Sequence, residues 1–321
     1  MKLGFDAPPA YFVHVPKTGG VTLGSFLDSL YSFRQKVRLD SPRLAKLKIS
    51  ALPRFRFYHS MHQGRQMLEL TGRSDLICMT MLRDPVERAV SQILYFQRIA
   101  REQPRAFLPD YLEAVRPILQ ADLTGPVDET AFGLACDAQI RTLGILEDYR
   151  PLFHGGPDVA SKRTLTSPYP LPPLMDVNDE AALLTNSLTW LETFQVVGIT
   201  EHYNRSVELV CDALGVAAPA KIRQANVNPE RTPGNSDYGR QISPMLRDQL
   251  VALTAGDREL YAAGLQRFQD QWERYKAQPK RLYSIGSRMR APLWQSKIFY
   301  EAKTALRPLK RAIQQRLDKT V

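Results

Sequence analysis

The chain has 321 residues, of which 44% are hydrophobic and 24% are charged. This length allows a full hydrophobic core, and this composition excludes intrinsic disorder. No apolar run is long enough to span a membrane, and the first residues lack the apolar core of a signal peptide. Cys78, Cys136 and Cys211 each lie among apolar neighbours, which predicts small core residues in a reducing compartment. We therefore expect a cytoplasmic protein.

The positive charge is concentrated at the C-terminus. The chain has a net charge of +10, and residues 280–321 contribute +9 of it, with eleven Lys or Arg against two acidic residues. We predict a domain over residues 1–278 and a basic, helical tail over residues 279–321. A charged tail is not a domain-wide basic surface, so we expect no nucleic-acid partner. Its apolar residues at helical spacing are typical of peripheral contact with the inner membrane face or of binding to an acidic glycan. A docked helix or a solvated extension is an equal alternative.

Apolar periodicity and turn residues predict alternating strands and helices. In chain order, the predicted elements are a strand at 11–15, a helix at 21–31, a strand at 55–59, a helix at 66–71, a strand at 76–82, helices at 85–101 and 130–146, a strand at 194–200, a helix at 203–214 and a two-part helix at 244–276. The connecting residues are predicted as loops at 34–53 and 154–179 and a mixed segment at 104–129. The alternation indicates an α/β fold with a mainly parallel central sheet flanked by helices on both faces.

The first strand, turn and helix have the features of an anion-binding site. The strand runs into Pro16-Lys17-Thr18-Gly19-Gly20, and the helix begins with Val21 and Thr22. Amide groups at a helix N-terminus have no partner within the helix and carry the positive end of its dipole. The glycines let an anion approach the backbone, Lys17 adds a cation, and the threonines add hydroxyl donors. In a Walker A loop the lysine follows the glycines, whereas here it precedes them.

A second phosphate-binding pair is predicted at the end of strand 76–82. Arg83 leaves this strand, and Ser91 lies eight residues later, about two turns into the next helix. A guanidinium and a hydroxyl at this spacing can bind one phosphate group. Taken alone, the pattern is equally compatible with an Arg83–Asp84 ion pair at a helix start and a surface serine.

Polar residues follow three of the predicted strands. The three clusters are Pro16-Lys17, the segment from His59 to His62, and Arg83-Asp84. Because ligands of parallel sheets bind beyond the carboxyl ends of the strands, we expect the three clusters to converge on one site.

Several segments resemble one enzyme family. Residues 13–23, Val-His-Val-Pro-Lys-Thr-Gly-Gly-Val-Thr-Leu, resemble the 5′-phosphosulfate-binding loop of sulfotransferases that use 3′-phosphoadenosine 5′-phosphosulfate (PAPS). Residues 82–91, Leu-Arg-Asp-Pro-Val-Glu-Arg-Ala-Val-Ser, are similar to the 3′-phosphate-binding motif of that family. The branch that the chain resembles holds heparan sulfate 2-O- and 6-O-sulfotransferases and many bacterial carbohydrate sulfotransferases. Residues 137–143, 197–209 and 257–261 are also similar to its patterns, with Asp137 where Asn is usual. The resemblance covers about residues 10–270.

The resemblance implies a P-loop-like three-layer fold and the transfer of a sulfuryl group from PAPS to a hydroxyl, of a carbohydrate or a glycolipid. It implies that Lys17 neutralises the bridging oxygen as the nucleotide product, PAP, leaves. Arg83 and Ser91 would bind the 3′-phosphate. The 5′-phosphate would be held by Pro16, Lys17, Thr18, Gly19, Gly20, Val21 and Thr22. We expect no metal, because no Cys/His pair has zinc-binding spacing.

A hydroxyl acceptor needs a general base, and histidine is the usual candidate near neutral pH. His59 and His62 lie where the heparan 2-O-sulfotransferase branch carries a His-x-His turn, but two residues separate them here instead of one. We favour His62 because it lies further beyond the strand end, and His59 is the alternative. His14 lies within the first strand and is expected to be a structural contact.

Three other polar residues are weaker candidates. Gln139 and Arg141 lie on a predicted helix, where they either contact substrate or nucleotide or belong to a solvated helix face. Arg231 lies in a Pro- and Asn-containing loop and is a candidate to close over the adenosine, although such loops need no function to explain them.

Two alternatives to a sulfotransferase stay open. One is a P-loop nucleotide kinase or other phosphotransferase, which the absent Gly-Lys-Ser/Thr order and the Arg83–Ser91 pair argue against. The other is a non-catalytic nucleotide-binding protein of the same fold, which the irregular histidine spacing keeps open.

Overall fold

The computed structural model describes residues 7–39, 44, 47–61, 65–102, 109–125, 135–146, 153, 179–219 and 242–278. Several predictions fall on residues outside these ranges. They concern the roles of His62 and Arg231, the loop at 154–178 and the basic tail at 279–321.

The described residues include five β-strands and nine α-helices. The strands are β1 Ala10–His14, β2 Lys36–Arg38, β3 Phe57–Met61, β4 Ile77–Leu82 and β5 Val196–Ile199. The α-helices are α1 Gly20–Leu30, α2 Arg65–Leu70, α3 Pro85–Glu102, α4 Pro109–Gln120, α5 Ala138–Gly144, α6 Glu180–Leu191, α7 Tyr203–Ala213, α8 Pro244–Leu253 and α9 Ala255–Ala277.

The five strands form one sheet in the order β2-β3-β1-β4-β5. Every neighbouring pair is parallel, with Phe12 aligned with His59 on one side and with Met79 on the other. The predicted α/β architecture with a parallel central sheet is therefore confirmed. Because β1, β4 and β5 are neighbours, the turns that follow them lie side by side at the carboxyl edge of the sheet.

Helix α1 covers one face of the sheet at very close range. Gly20 and Gly24 of α1 lie against the imidazole rings of His14 and His59, and a Cβ at either glycine would overlap one of these rings. Both glycines therefore set the distance between α1 and the sheet. Because side chains alternate between the two faces of a sheet, every second residue of β1 counted from His14, and the residues aligned with them in the neighbouring strands, point to this face.

Helix α9 covers the opposite face, where the side chains of Leu82 and Val197 lie against Gly264. Their neighbour in β5, Gly198, points to the α1 side and leaves room there for Ser206 of α7. Alternating residues of β5 thus contact helices on opposite faces. The protein has helices on both sides of a sheet, as the alternating pattern predicts.

The core has two parts. The larger surrounds the sheet, and the smaller joins α3, α4 and α8 through Ile93, Val115 and Leu250. Full burial of a large apolar side chain stabilises a fold by about 1.5–3 kcal/mol, so both parts contribute strongly. The three cysteines are buried and free, as predicted for small core residues.

The sequence located most of these elements. The strands at 76–82 and 194–200 and the helices at 85–101 and 203–214 agree with β4, β5, α3 and α7 to within two residues. The strand predicted at 55–59 begins two residues later. Of the helix predicted at 130–146, residues 130–134 lie outside the described residues, and the described part forms a helix over 138–144. The elements β2, α4 and α6 were not predicted.

Candidate functional site

The turn between β1 and α1 has a left-handed backbone at two positions. Lys17 has a φ of 69° and Gly19 a φ of 78°. This conformation suits glycine but costs a residue with a side chain about 1–3 kcal/mol, a strain that is common at functional sites. The Thr18 hydroxyl donates to the Val15 carbonyl at 2.8 Å. Contrary to our prediction, this hydroxyl closes the turn, so the part of Thr18 that remains for a phosphate is its backbone amide.

The N-terminus of α1 faces the same turn. The first hydrogen bonds of the helix run from the Thr22 and Leu23 amides to the Gly19 carbonyl, at 3.1 and 3.4 Å. The amide groups before them lie outside this helical ladder and carry the positive end of the dipole. The first turn of α1, all of which is described, contains no acidic residue. The local field therefore favours an anion.

Tyr203, at the start of α7, stands over this N-terminus. A Cβ at Gly19 would lie 3.0 Å from the edge of the Tyr203 ring. The Tyr203 hydroxyl is hydrogen-bonded to the Thr22 side chain, and burial raises its pKa, so it stays neutral. No role was predicted for Tyr203, and the signal that could have identified it is its place in segment 197–209, which resembles the sulfotransferase pattern.

Arg83 contacts the β1–α1 turn directly. Its Nη1 donates to the Lys17 carbonyl oxygen at 3.2 Å, and its Nη2 lies 3.6 Å from Glu87 Oε2. The Asp84 carboxylate instead accepts from the Glu87 amide at 2.9 Å at the start of α3. The alternative of an ion pair between Arg83 and Asp84 is therefore not observed, and Arg83 pairs with Glu87 instead. The predicted convergence of Pro16-Lys17 and Arg83-Asp84 is present.

The end of β5 also joins the site. The Thr200 hydroxyl lies 2.7 Å from the Thr18 carbonyl oxygen and 2.9 Å from the Leu82 carbonyl oxygen, so its hydrogen is shared between them. This hydroxyl ties the turn after β1 to the end of β4. One residue on, Glu201 accepts from the Asp84 amide at 3.1 Å. Three adjacent strands thus fix the geometry of one turn.

The other predicted phosphate contacts lie on the flanking helices and the turn. Ser91 lies on α3 and is 8% exposed, and Thr22 is buried on α1. Pro16 is half-buried, and Val21 is 40% exposed at the start of α1. Of these, Ser91 has a side chain that can donate to a phosphate, since the Thr22 hydroxyl is bonded to Tyr203.

Lys17 is surrounded by other cations. Its ammonium lies 4.1 Å from the centre of the Tyr95 ring, and the Arg98 guanidinium lies 5.6 Å from the same ring. Burial, and to a smaller degree the guanidinium groups of Arg83, Arg98 and Arg88, lowers the pKa of Lys17 to about 7. These positive charges repel one another, and an anion bound among them would offset the repulsion.

Tyr95 was not predicted to belong to the site. It lies four residues after Ser91 on α3, which places the two on the same helix face. The position of its ring under the Lys17 ammonium is a cation–π contact, which stabilises such an ammonium by about 0.5–2 kcal/mol. The helical spacing from Ser91 was the signal that could have identified it.

His59 does not reach the edge of the sheet. It lies in the middle of β3, is 2% exposed, and has its Nε2 3.3 Å from His14 Nδ1. Burial, with a smaller effect of Arg38, holds the pKa of His59 well below 6.5. The prediction that His59 follows the end of its strand is wrong, because the strand begins two residues later than expected. Its surroundings fit a structural contact, as those of His14 do, and the general-base role stays a prediction for His62.

Protonation of His59 is expected to oppose folding in mild acid. In the unfolded chain a histidine binds a proton near pH 6.5, whereas buried His59 resists it. The unfolded state therefore binds more protons below pH 6.5, and stability falls as the pH falls. When the pH falls from 7.5 to 5.5, this residue should lower the free energy of unfolding by about 1.4 kcal/mol. Urea unfolding at the two pH values should show a drop that is smaller by this amount in His59→Phe.

The comparison between wild type and variant is essential, because other groups titrate in the same range. Burial, with neighbouring Asp257, raises the pKa of Asp137 to about 7, so this carboxyl stabilises the fold as the pH falls. His59→Gln serves as a second variant of a different shape. Equal pH dependence in wild type and both variants would contradict the buried, neutral state of His59.

Gln139 has neither of the two environments predicted for it, which were a contact with substrate or nucleotide and a solvated helix face. It is fully buried in the first turn of α5, and its side-chain amide bonds to the backbone of Arg83. It is therefore neither on a solvated helix face nor directed at a ligand. Arg141, two residues further along the same helix, is partly buried.

The described residues contain neither a metal-binding group of side chains nor a membrane-spanning helix. No group of three or more His, Cys, Asp or Glu side chains in these ranges could hold a metal ion. Among the helices described, none is both long and apolar enough to cross a membrane. Comparison of the sequence with protein-family models and with curated proteins gave no match.

Proposed function

We propose that this chain is a PAPS-dependent sulfotransferase with a P-loop-like fold, which transfers a sulfuryl group to a hydroxyl of a carbohydrate or glycolipid. One observation carries the proposal, the hydrogen bond from Arg83 Nη1 to the Lys17 carbonyl oxygen at 3.2 Å. A single anion-binding turn would suit many ligands. Two such turns in contact, after the adjacent strands β1 and β4, suit a nucleotide with phosphates at both its 5′ and 3′ positions.

The charges around Lys17 fit such a ligand. Its pKa is lowered to about 7 by burial and by three guanidinium groups, although Arg83 pairs with Glu87, Arg88 with Asp257 and Arg98 with Glu102. A ligand with two phosphate groups would bring anionic oxygens to this cluster and raise the pKa of Lys17 again. Residues 16–22 would hold the 5′-phosphate, and Arg83 with Ser91 the 3′-phosphate.

The transfer step needs charge stabilisation more than covalent chemistry from the protein. Bound PAPS supplies a sulfuryl group attached to a phosphate oxygen. By analogy with phosphoryl transfer, charge develops on the leaving oxygen, and a fixed cation beside it lowers the barrier. Lys17 is the candidate for this role, because its ammonium lies at the turn that would hold the 5′-phosphate. The left-handed backbone at Lys17 restricts how the side chain leaves the turn.

The acceptor hydroxyl must lose a proton as it attacks. In the proposal His62 takes this proton as general base. His59 is buried under α1 against Gly24, so we give it a structural role instead. Tyr95 and Tyr203 flank the Lys17 turn and would limit water access beside it.

The two alternative functions make different predictions about ligands. A phosphotransferase of similar fold would bind ADP at least as well as PAP, since it has no use for a 3′-phosphate. A non-catalytic nucleotide-binding protein would bind PAP without transferring sulfate. A preference for PAP over ADP therefore distinguishes a sulfotransferase from a phosphotransferase. Transfer of sulfate distinguishes it from a non-catalytic nucleotide-binding protein.

A thermal unfolding experiment tests the nucleotide preference. A ligand present at about 100 times its Kd stabilises the folded chain by about 2.7 kcal/mol. PAP at such a concentration should therefore raise the melting temperature of the full chain by about 5 °C. ADP at the same concentration should raise it by about 1 °C or less. An equal or larger shift with ADP would contradict the proposal.

A further inference from the structure

The backbone at Arg83 is held by one buried side chain. Gln139 Oε1 accepts from the Arg83 amide at 3.0 Å, and Gln139 Nε2 donates to the Arg83 carbonyl at 3.0 Å. Gln139 is 0% exposed, so water does not compete for these bonds. A side-chain amide that bonds both polar groups of one residue fixes the direction in which that residue leaves its strand. Arg83 is the first residue after β4.

Gln139 is in turn fixed by the start of another helix. The amides of Gln139 and Ile140, in the first turn of α5, donate to the carboxylate of Asp257 at 2.9 and 2.8 Å. Asp257 lies in the first turn of α9, and its own amide donates to Asp137 Oδ1 at 2.9 Å. Asp137 precedes α5 and makes no side-chain cap bond to that helix. The N-termini of α5 and α9 therefore cap each other through these two aspartates.

Helix α3 is joined to the same point. Arg88 of α3 has its Nε 3.7 Å from Asp257 Oδ2, and it donates through Nη2 to the Ala135 carbonyl. Both charged side chains are 0% exposed, and a buried charge is destabilising unless it is paired. Ser91 lies three residues after Arg88 on this helix. One buried group of residues thus connects the backbone of Arg83 to the helix that carries Ser91.

We propose that Gln139 is a positioning residue of the 3′-phosphate site, which holds the Arg83 backbone so that the guanidinium meets that phosphate, and that Asp257 positions Gln139 in turn. This inference rests on the proposed function. Gln139 does not touch the ligand in this account. Its effect on binding passes through Arg83, which distinguishes it from a residue that supports the fold alone.

The chain offers a matched control for this role. Gln271 of α9 bonds the backbone in the same manner, since its Oε1 accepts from the Val197 amide and its Nε2 donates to the Gln195 carbonyl, both at 3.1 Å. These bonds lie at the start of β5, at the opposite edge of the sheet from Arg83. Gln271→Met removes the same kind of clamp far from the proposed site.

The test is a double-mutant cycle on the full-length chain. Calorimetry gives the affinities of PAP and of adenosine 5′-monophosphate, which lacks the 3′-phosphate, for wild type, Gln139→Met, Arg83→Ala and the double variant. Gln139→Met should weaken PAP binding about tenfold and leave the monophosphate nearly unchanged, because the Arg83 guanidinium would meet the 3′-phosphate, whereas the turn for the 5′-phosphate is also held by Thr18 and Thr200. In the Arg83→Ala background it should cause no further loss. Gln271→Met should change neither affinity.

Each other result overturns the inference in a recognisable manner. Equal weakening of both nucleotides, or a loss of PAP affinity that persists without the Arg83 side chain, would mean that Gln139 acts through the fold alone. A wild type that does not prefer PAP over the monophosphate would overturn the proposed function itself, before any variant is compared. If Gln139→Met does not fold, Gln139→Glu takes its place in the cycle. It keeps the acceptor for the Arg83 amide and loses the donor to the Arg83 carbonyl, and a PAP affinity equal to that of wild type would contradict the inference.

Discussion

Replacement of Lys17 by alanine is expected to lower the rate constant of sulfuryl transfer by about 100- to 1,000-fold. The Lys17 ammonium lies among guanidinium groups at the turn after β1, where a fixed positive charge would stabilise the leaving oxygen. PAP affinity should fall by about tenfold or less, because the backbone amides and Arg83 remain. Single-turnover transfer of labelled sulfate from PAPS separates these two effects, since it measures the chemical step without product release.

Two control variants make the Lys17 experiment specific. Lys17→Arg keeps a positive charge at the turn and should retain more activity than Lys17→Ala. Lys276→Ala removes an exposed lysine near the end of α9, which pairs with Glu273 at 2.8 Å, and should leave the rate unchanged. A Lys17→Ala rate within about threefold of wild type would contradict the role of Lys17 in the transfer step.

Replacement of Arg83 by alanine is expected to remove the preference for a 3′-phosphate. Hydrogen bonds to charged groups contribute about 1.5–3 kcal/mol, so PAP should bind about 10- to 100-fold more weakly. Adenosine 5′-monophosphate should bind nearly as before, because the turn after β1 holds its phosphate. Titration calorimetry with both nucleotides measures the change. Arg83→Lys should recover part of the loss, since it keeps the charge but not the planar pair of donors.

A second arginine provides the matched control for Arg83. Arg267 of α9 donates to the Glu192 and Phe194 carbonyls at 2.8 and 2.7 Å, just before β5. Like Arg83, it binds backbone carbonyls next to a strand, but at the other edge of the sheet. Arg267→Ala should leave both nucleotide affinities unchanged. If Arg83→Ala weakens PAP and the monophosphate equally, Arg83 supports the turn and does not select the 3′-phosphate.

The fold was predictable where the signal is local. The apolar runs of β4 and β5 and the proline at the start of α3 predict these elements directly, since a buried parallel strand is apolar on both faces. The edge strand β2 was missed because it is three residues long with a charged residue at each end, Lys36 and Arg38. Helix α4 was missed because Pro117 lies inside it, and proline argues against a helix interior.

The candidate site was likewise predictable only where the sequence signal is local. Lys17 and Arg83 were found because turns after strands have local signals, glycine in one case and Asp-Pro in the other. The register of β3 is not set by its sequence alone, and a shift of two residues moved His59 from the strand end into the core. The contact between Gln139 and Asp257 joins residues 118 apart along the chain, and no local pattern indicates it.

The most direct test of the account is transfer itself. The full-length chain is incubated with glycan and lipid extracts of the host and with either sulfate-labelled PAPS or γ-phosphate-labelled ATP. The account predicts that label passes from PAPS to a hydroxyl-bearing acceptor with release of an equal amount of PAP, that Lys17→Ala loses this transfer, and that no label passes from ATP. Transfer from ATP, or PAP binding without any transfer from PAPS to these extracts, would contradict it.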